Sequence, residues 1–417
     1  MTTIETKAAG LSRPEFVALM AGLMAVDALA IDIMLPAFPE IGTALGIADP
    51  NERALILTAF LLGFGPLHLV FGPLTDRFGR RSMILLGLGA YVVTSFACAA
   101  APNLAVMLLA RFLQGGAAAA VKVALTAAVR DRYAGQAMVD IMSLITAVFL
   151  LVPIVCPSIG QLLLFAGSWH LIFIFIGVVG ILFALWTAFR LEESLRPEDR
   201  RPLDFGVVAA GFRIVVGNRQ AFFYGIVGAF MYGIISVMLN TAQQVYVDIF
   251  GLGAWFPVAF AFTTIVASIA SLFMSRITRA FGMRRTAHVA VLIMFVTSGV
   301  YALWSLVEPP TLWTFYLMLL IVFPAMVAVF TTTGALSLEP LGEVAGTAAS
   351  VFGAITTGGG AVLGYAVAQF YDGTVTPVLL GNTAMALCAL GCFAVAEKGR
   401  LFRLDQAPVS AEPVAAF

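Results

Sequence analysis

The sequence predicts an all-α integral membrane protein of twelve transmembrane helices in two six-helix bundles. Three observations predict it. Hydrophobic residues make up 61% of the 417-residue chain and charged residues 11%, against ~25% charged in soluble domains, so polar surface is too scarce to cover a globule in water. Twelve continuous apolar runs approach or exceed the ~20 residues that a helix needs to cross hydrocarbon. Finally, basic residues concentrate on alternate connections. Continuous apolarity favours helices over a β-barrel, whose strands alternate apolar and polar positions.

In order, the runs cover 16 to 38, 53 to 73, 82 to 101, 103 to 129, 137 to 165 and 170 to 190, then 219 to 248, 254 to 274, 286 to 307, 311 to 334, 345 to 370 and 374 to 396. With the N-terminus placed inside, 20 of the 23 Lys and Arg fall on the cytoplasmic side. They lie in the N-terminal segment (Lys7, Arg13), after span two (Arg77, Arg80, Arg81), after span four (Arg130, Arg132), in the central connector, after span eight and in the tail. Arg53 lies opposite, and Arg111 and Lys122 fall within span four. This bias supports the span count and predicts cytoplasmic N- and C-termini for a multi-pass inner-membrane protein. MTTIETKAAGLSRPEF lacks the basic start, short apolar core and cleavage site of a signal peptide, so span one is expected to be retained.

The longest polar connector, EESLRPEDRRPLDFG, separates six spans from six. The expected organisation is an N-terminal bundle at 1–190, a cytoplasmic linker at 191–218, a C-terminal bundle at 219–396 and a cytoplasmic tail at 397–417. After span eight, SRITRAFGMRR echoes the loop after span two, with Arg279 where that loop has Asp76. Parallel six-span repeats with a site between them describe one common transporter architecture.

That loop is GPLTDRFGRR, Gly72 to Arg81. Gly79 is expected at a tight turn, and Gly72 with Pro73 is expected to end the preceding helix. The pattern G-x-x-x-D-R-x-G-R-R, carried by Gly72, Asp76, Arg77, Gly79, Arg80 and Arg81, resembles the signature loop of the major facilitator superfamily. The resemblance implies that Asp76 faces the start of span eleven near Glu343 to Thr347, and that Arg80 faces Asp131, latching the inner side. Each contact is worth ~0.3 to 1 kcal/mol, weak enough to open.

Four further stretches resemble the bicyclomycin and chloramphenicol resistance branch of drug:proton antiporters. They are AIDIMLPAFPEI, with Asp32, Leu35 and Pro36; RFLQGGAAAA, with Arg111 in an R-x-x-Q-G spacing; VPIVCPSIGQLL, with Pro153, Pro157 and Gly160, followed by Trp169; and EPLGEVAGTAAS before span eleven. Cys156 and Gln161 depart from the usual glycines of the third stretch, and His68 stands where span two usually has Gln.

Ionisable groups inside a bilayer are costly unless paired or hydrated, which makes each a functional candidate. Asp32 and Arg111 lie at nearly equal depth from the outer ends of spans one and four, so a meeting is open to them. The expected roles are a proton-carrying Asp32 and an Arg111 that lowers its proton affinity. Asp27 is turned about 140° from Asp32 on the helical wheel. Asp27 and Lys122 form either a second, structural pair or a site in which Lys122 receives an anionic substrate. His68 is either titratable or a hydrogen-bonded packing residue. Asn240, Gln243 and Gln244 in span seven either line a cavity or bond between helices. Cys98, Cys156, Cys388 and Cys392 sit within spans and read as small apolar side chains.

No nucleotide-binding loop or metal-ligand cluster occurs, no cofactor is called for, and zero net charge gives no reason to expect nucleic acid. The chain reads as a proton-coupled exporter of small organic compounds, with the bilayer, protons and that substrate as partners, and as a monomer rather than an enzyme. The alternatives are a carrier of one metabolite or siderophore-like anion and, from another class, a non-transporting membrane receptor or scaffold.

Overall fold

The computed structural model describes residues 11–200, 203 and 205–402. All regular structure among them is helical, and twelve helical segments are long and apolar enough to cross a membrane. Lys7, Arg201 and most of the predicted tail lie outside the described residues, as do the side chains of Glu343 and Thr347.

Span one starts at a side-chain cap, Ser12 accepting from the amide of Glu15, and its helix runs Arg13–Asp32. It ends directly after Asp32, then resumes as a 3₁₀ turn Leu35–Ala37 and a helix Phe38–Ala44. Pro36 and Pro39 lack amide protons, which breaks the regular ladder there. Span two enters through the turn Pro50–Arg53 and runs Ala54–Phe78, straight through Pro66 and Pro73. The expected stop at Gly72 and Pro73 is therefore overturned: spanning helices tolerate proline where neighbouring groups satisfy the freed backbone. The stop comes at Gly79, with φ 96° and ψ 158°, a conformation essentially reserved for glycine.

Spans three, four and six are the helices Arg80–Ala99, Leu104–Arg132 and His170–Arg190. Span five, expected as one helix, is two: Gly135–Phe149 and Val152–Ala166, interrupted just before Pro153. The segment expected as a linker, 191–218, contains beyond its polar stretch a helix Phe205–Gly217 that packs on spans seven and eleven. Spans eight, nine, ten and twelve follow as Phe256–Phe281, Met283–Ser305, Leu312–Leu338 and Thr376–Ala396. Span seven is α-helical over Arg219–Gln243 and π-helical over Gln244–Ile249. Span eleven has the same mixture, with Ile355–Gly359 in π form between Ala345–Ala354 and Gly360–Ala368.

Within the first bundle, span four packs on spans two and three, and span three on span six. In the second, span seven packs on spans ten, eleven and twelve, and span nine on ten and twelve. The bundles meet where span two lies along span eleven and span five along span eight. Large apolar side chains such as Leu182, Phe189, Leu272 and Trp313 remain exposed, as a lipid-facing surface requires.

The internal repeat is visible in geometry as well as sequence. Gly282 after span eight has φ 78° and ψ 154°, nearly the angles of Gly79. Arg80 pairs with Asp131 after span four at 2.8 Å, and Arg284 pairs with Glu339 after span ten at 2.5 Å. Each bundle adds an acid from beyond its last span: Glu193 accepts from the amides of Arg80 and Arg81 at 2.8 and 3.1 Å, and Glu397 accepts from Arg284 at 3.3 Å.

Candidate functional site

Away from the Gly79 turn, the buried charges of the first bundle sit on spans one and four. Arg111 has no exposed surface. Its Nη1 donates to Oε1 of Gln114 at 2.5 Å, its Nη2 to the carbonyl of Ala30 at 3.2 Å and its Nε to the carbonyl of Ile56 at 3.3 Å. Its guanidinium lies 4.6 Å from the ring centre of Phe60. Gln114 donates in turn to Ser95, Ser95 to the carbonyl of Tyr91, and the Tyr91 hydroxyl to the carbonyl of Val26. This closed chain ties spans one, two, three and four together.

The meeting of Asp32 with Arg111 is not made, and the expectation is corrected. Equal depth was read properly, but direction was not available from counting. Arg111 reaches span one at Ala30, two residues before Asp32 and therefore about 200° around the helix from it. Asp32 is 4% exposed, and its carboxylate has no hydrogen bond or ion pair among the described residues. Gly160 of span five packs on the same stretch: a Cβ there would collide with the carbonyl of Ile33. That contact gives the glycine of the span-five motif its physical reason. Pro153 and Pro157 lie in the same half of the span, Pro153 just after its break and Pro157 inside the second helix.

Asp27 and Lys122 are brought together. Lys122 Nζ lies 2.8 Å from Asp27 Oδ2, and the other Asp27 oxygen accepts from the amide of Ala28 at 2.9 Å. The ammonium also stands 5.1 Å from the ring centre of Phe64 and 5.3 Å from that of Phe149. His68, one turn after Phe64, has its Nδ1 2.6 Å from the Phe64 carbonyl. The pair is thus framed by spans one, two, four and five. Span seven packs against the turn Leu35–Ala37 just after Asp32, which brings the second bundle to the end of the span-one helix.

In span seven the polar run divides. Asn240 donates to Ser236 at 3.3 Å, leaving its Oδ1 buried without a partner among the described residues, while Gln243 is 5% exposed. Gln244 crosses to the other bundle, donating to Oδ1 of Asn51 at 3.1 Å. Asn51 donates to the carbonyls of Tyr371 and Gln369 at 2.8 and 3.3 Å, and its own carbonyl accepts from Gln369 at 3.0 Å. Four hydrogen bonds at one asparagine thus clasp the ends of spans two, seven and eleven on the face opposite the Gly79 turn.

At that turn, Arg80 pairs with Asp131 as the motif implies and also with Asp76 at 3.0 Å. Asp76 is therefore engaged by an arginine of its own bundle. Gly72 lies at the interface between bundles, where a Cβ would stand 4.0 Å from Oγ of Ser350 in span eleven. Arg81 donates to the carbonyl of Ala188, fastening the turn to span six. Arg77 makes no hydrogen bond or ion pair among the described residues.

Counting along the sequence missed Gln114, Ser95, Tyr91, Asn51 and Gln369. Only Gln114 carried a signal, through its place in the R-x-x-Q-G spacing.

A two-bundle, twelve-span helical protein with paired charges inside its membrane segments has a common transporter architecture. The chain belongs to the Major Facilitator Superfamily, whose family description matches residues 20–365. It is 28% identical over 365 residues to a bicyclomycin resistance protein homolog of Haemophilus influenzae, covering 87% of this chain and 91% of that one. It is 30% identical over 340 residues to an uncharacterized transporter of this type from Bacillus subtilis, covering 81% and 84%. A chloramphenicol resistance protein of Pseudomonas aeruginosa is 37% identical over 169 residues, 40% of each chain. The fold is shared with a solved bacterial homolog of the lysosomal transporter Spinster, at a TM-score of 0.70 and 13% identity over 95% of this chain and 99% of that one.

Proposed function

We propose that this protein is a proton-coupled exporter of small organic compounds in the inner membrane, with its termini cytoplasmic, working by alternating access between its two bundles. The observation that carries the reading is Asp32: a carboxylate 4% exposed within a spanning segment, at the point where the span-one helix ends, with no partner among the described residues. A buried acid without a fixed counter-charge is a group that a proton can occupy and leave, and membrane carriers use such acids as relays. Asp27, neutralised by Lys122 a turn and a half away, is the second acid of that relay. Arg111, committed to two carbonyls and Gln114, positions span one and is not the counter-ion of Asp32.

Resistance names among the relatives support export of antibiotic-like compounds. The Asn51 clasp supports alternating access, because hydrogen bonds between bundles at the outer ends are what must break for the outer side to open. Bonds of that kind are individually worth ~1 kcal/mol, so four of them hold a state without locking it.

The test is flux in proteoliposomes under an imposed pH gradient. Native protein is expected to drive drug counter-flow and to collapse the gradient when drug is added. Asp32→Asn is expected to exchange drug for drug but to move no protons. Full proton-coupled transport by Asp32→Asn removes the proposal.

A further inference from the structure

We propose that the Lys122 ammonium is a recognition point for a carboxylate on the transported compound, with Phe64 and Phe149 flanking the body that carries it. The inference rests on the transport reading and adds a substrate class to it. An ammonium has three donors and no acceptor. One donor of Lys122 goes to Asp27 Oδ2, and no other acceptor lies within hydrogen-bond distance among the described residues. Two N–H groups are left over, and the base is the more open partner of the pair: the Lys122 side chain is 28% exposed, whereas that of Asp27 is 7% exposed.

A pair that served only to hold spans one and four together would be expected to bury both partners and use their donors, because partly satisfied charges in a membrane are costly. Here the acid is sealed behind the base, so an incoming ligand meets the cation first. Phe64 and Phe149 hold the ammonium through their ring faces, which uses none of its directional donors. A ligand carboxylate takes the two remaining donors, and Phe64 and Phe149 make the surroundings of that contact apolar.

The groups against the ammonium are Asp27 on span one, Phe64 on span two and Phe149 on span five, and the His68 ring stands edge-on to Phe64 at 4.6 Å. A cationic ligand is disfavoured there, since Lys122 repels it and Asp27 is already satisfied. A neutral acceptor fits but lacks the charge-assisted part of the bond.

The experiment is equilibrium binding to the full-length protein in nanodiscs, using three probes on one skeleton: 4-nitrobenzoate, 4-nitrobenzyl alcohol and 4-nitrobenzylammonium. Native protein is expected to bind the carboxylate about tenfold or more tighter than the other two. Lys122→Gln is expected to reduce the carboxylate to the level of the alcohol, and Lys122→Arg to keep most of the preference. Should Lys122→Gln fail to fold because Asp27 loses its partner, the Asp27→Asn, Lys122→Gln double variant removes both charges and is expected to show the same loss. Equal binding of the three probes by native protein, no binding of any, or a preference that survives loss of the lysine overturns the inference. Drug flux in the proteoliposomes without a carboxylate preference sinks this inference alone. A carboxylate preference without flux sinks the exporter reading and leaves the binding site standing.

Discussion

Arg111 and Asp32 illustrate how much a residue's direction matters once its depth is settled. Both are buried, 0% and 4% exposed, yet one is fully engaged and the other has no partner among the described residues. Charge-assisted hydrogen bonds are worth ~1.5 to 3 kcal/mol each, so three of them secure a guanidinium that the bilayer would otherwise expel. A lysine is a point charge on a flexible stem and does not reproduce the fork that spans Ala30, Ile56 and Gln114. Arg111→Lys is therefore expected to lose at least one bond, ~1.5 to 3 kcal/mol, seen as a lower unfolding temperature of the purified protein. Gly160→Val is expected to insert and fold but to push span five off span one, costing ~1 to 3 kcal/mol and most of the transport activity. The sequence made these positions candidates because charge and motif glycines stand out in apolar runs. It did not reveal their partners, because backbone carbonyls leave no trace in side-chain spacing.

At the scale of elements, continuous apolar runs located all twelve spans but not their interruptions. The breaks at Ile33 in span one and at Leu150 in span five follow local proline chemistry, while Pro66 and Pro73 are absorbed within a continuous helix. Proline therefore marks a possible break, and packing decides which become real. The π segments and the linker helix had no legible signal, since hydrophobic periodicity over a few residues does not separate a π turn from an α turn. The Gly79 turn was legible and has a measurable consequence. Gly79→Ala adds a Cβ where φ is 96° and where the Glu193 carboxylate lies, so a loss of ~1 to 3 kcal/mol is expected in chemical unfolding. Asn51→Ala removes the clasp opposite the Gly79 turn. In a cysteine-free background carrying Asn240→Cys, it is expected to speed labelling several-fold by an impermeant maleimide applied to the side on which Asn51 lies; unchanged labelling argues that the clasp holds nothing shut.

For the whole molecule, the two bundles repeat one arrangement on the face of the Gly79 turn: a glycine turn, an arginine, an acid after the fourth span and an acid beyond the sixth. The echo in SRITRAFGMRR announced the turn but not the acids, which lie far along the chain. Glu193 ties the start of the linker to span three, so Glu193→Gln is expected to raise the rate of tryptic cleavage at Arg200 several-fold in purified protein while leaving substrate binding intact. The repeat stops at the π segments of spans seven and eleven, which belong to the second bundle. A π turn holds one residue more than an α turn, so the stretch beyond it is out of phase with the stretch before it by about 100°. In span eleven the inner phase sets Gly358 against Pro66 of span two, and the outer phase sets Gly360 and Gly364 against Tyr232 and Ser236 of span seven. Removing a single residue from the Gly358 to Gly360 run would restore an ordinary winding and swing the outer stretch off span seven. The length of that run, more than the identity of any one side chain in it, sets which neighbours this helix keeps.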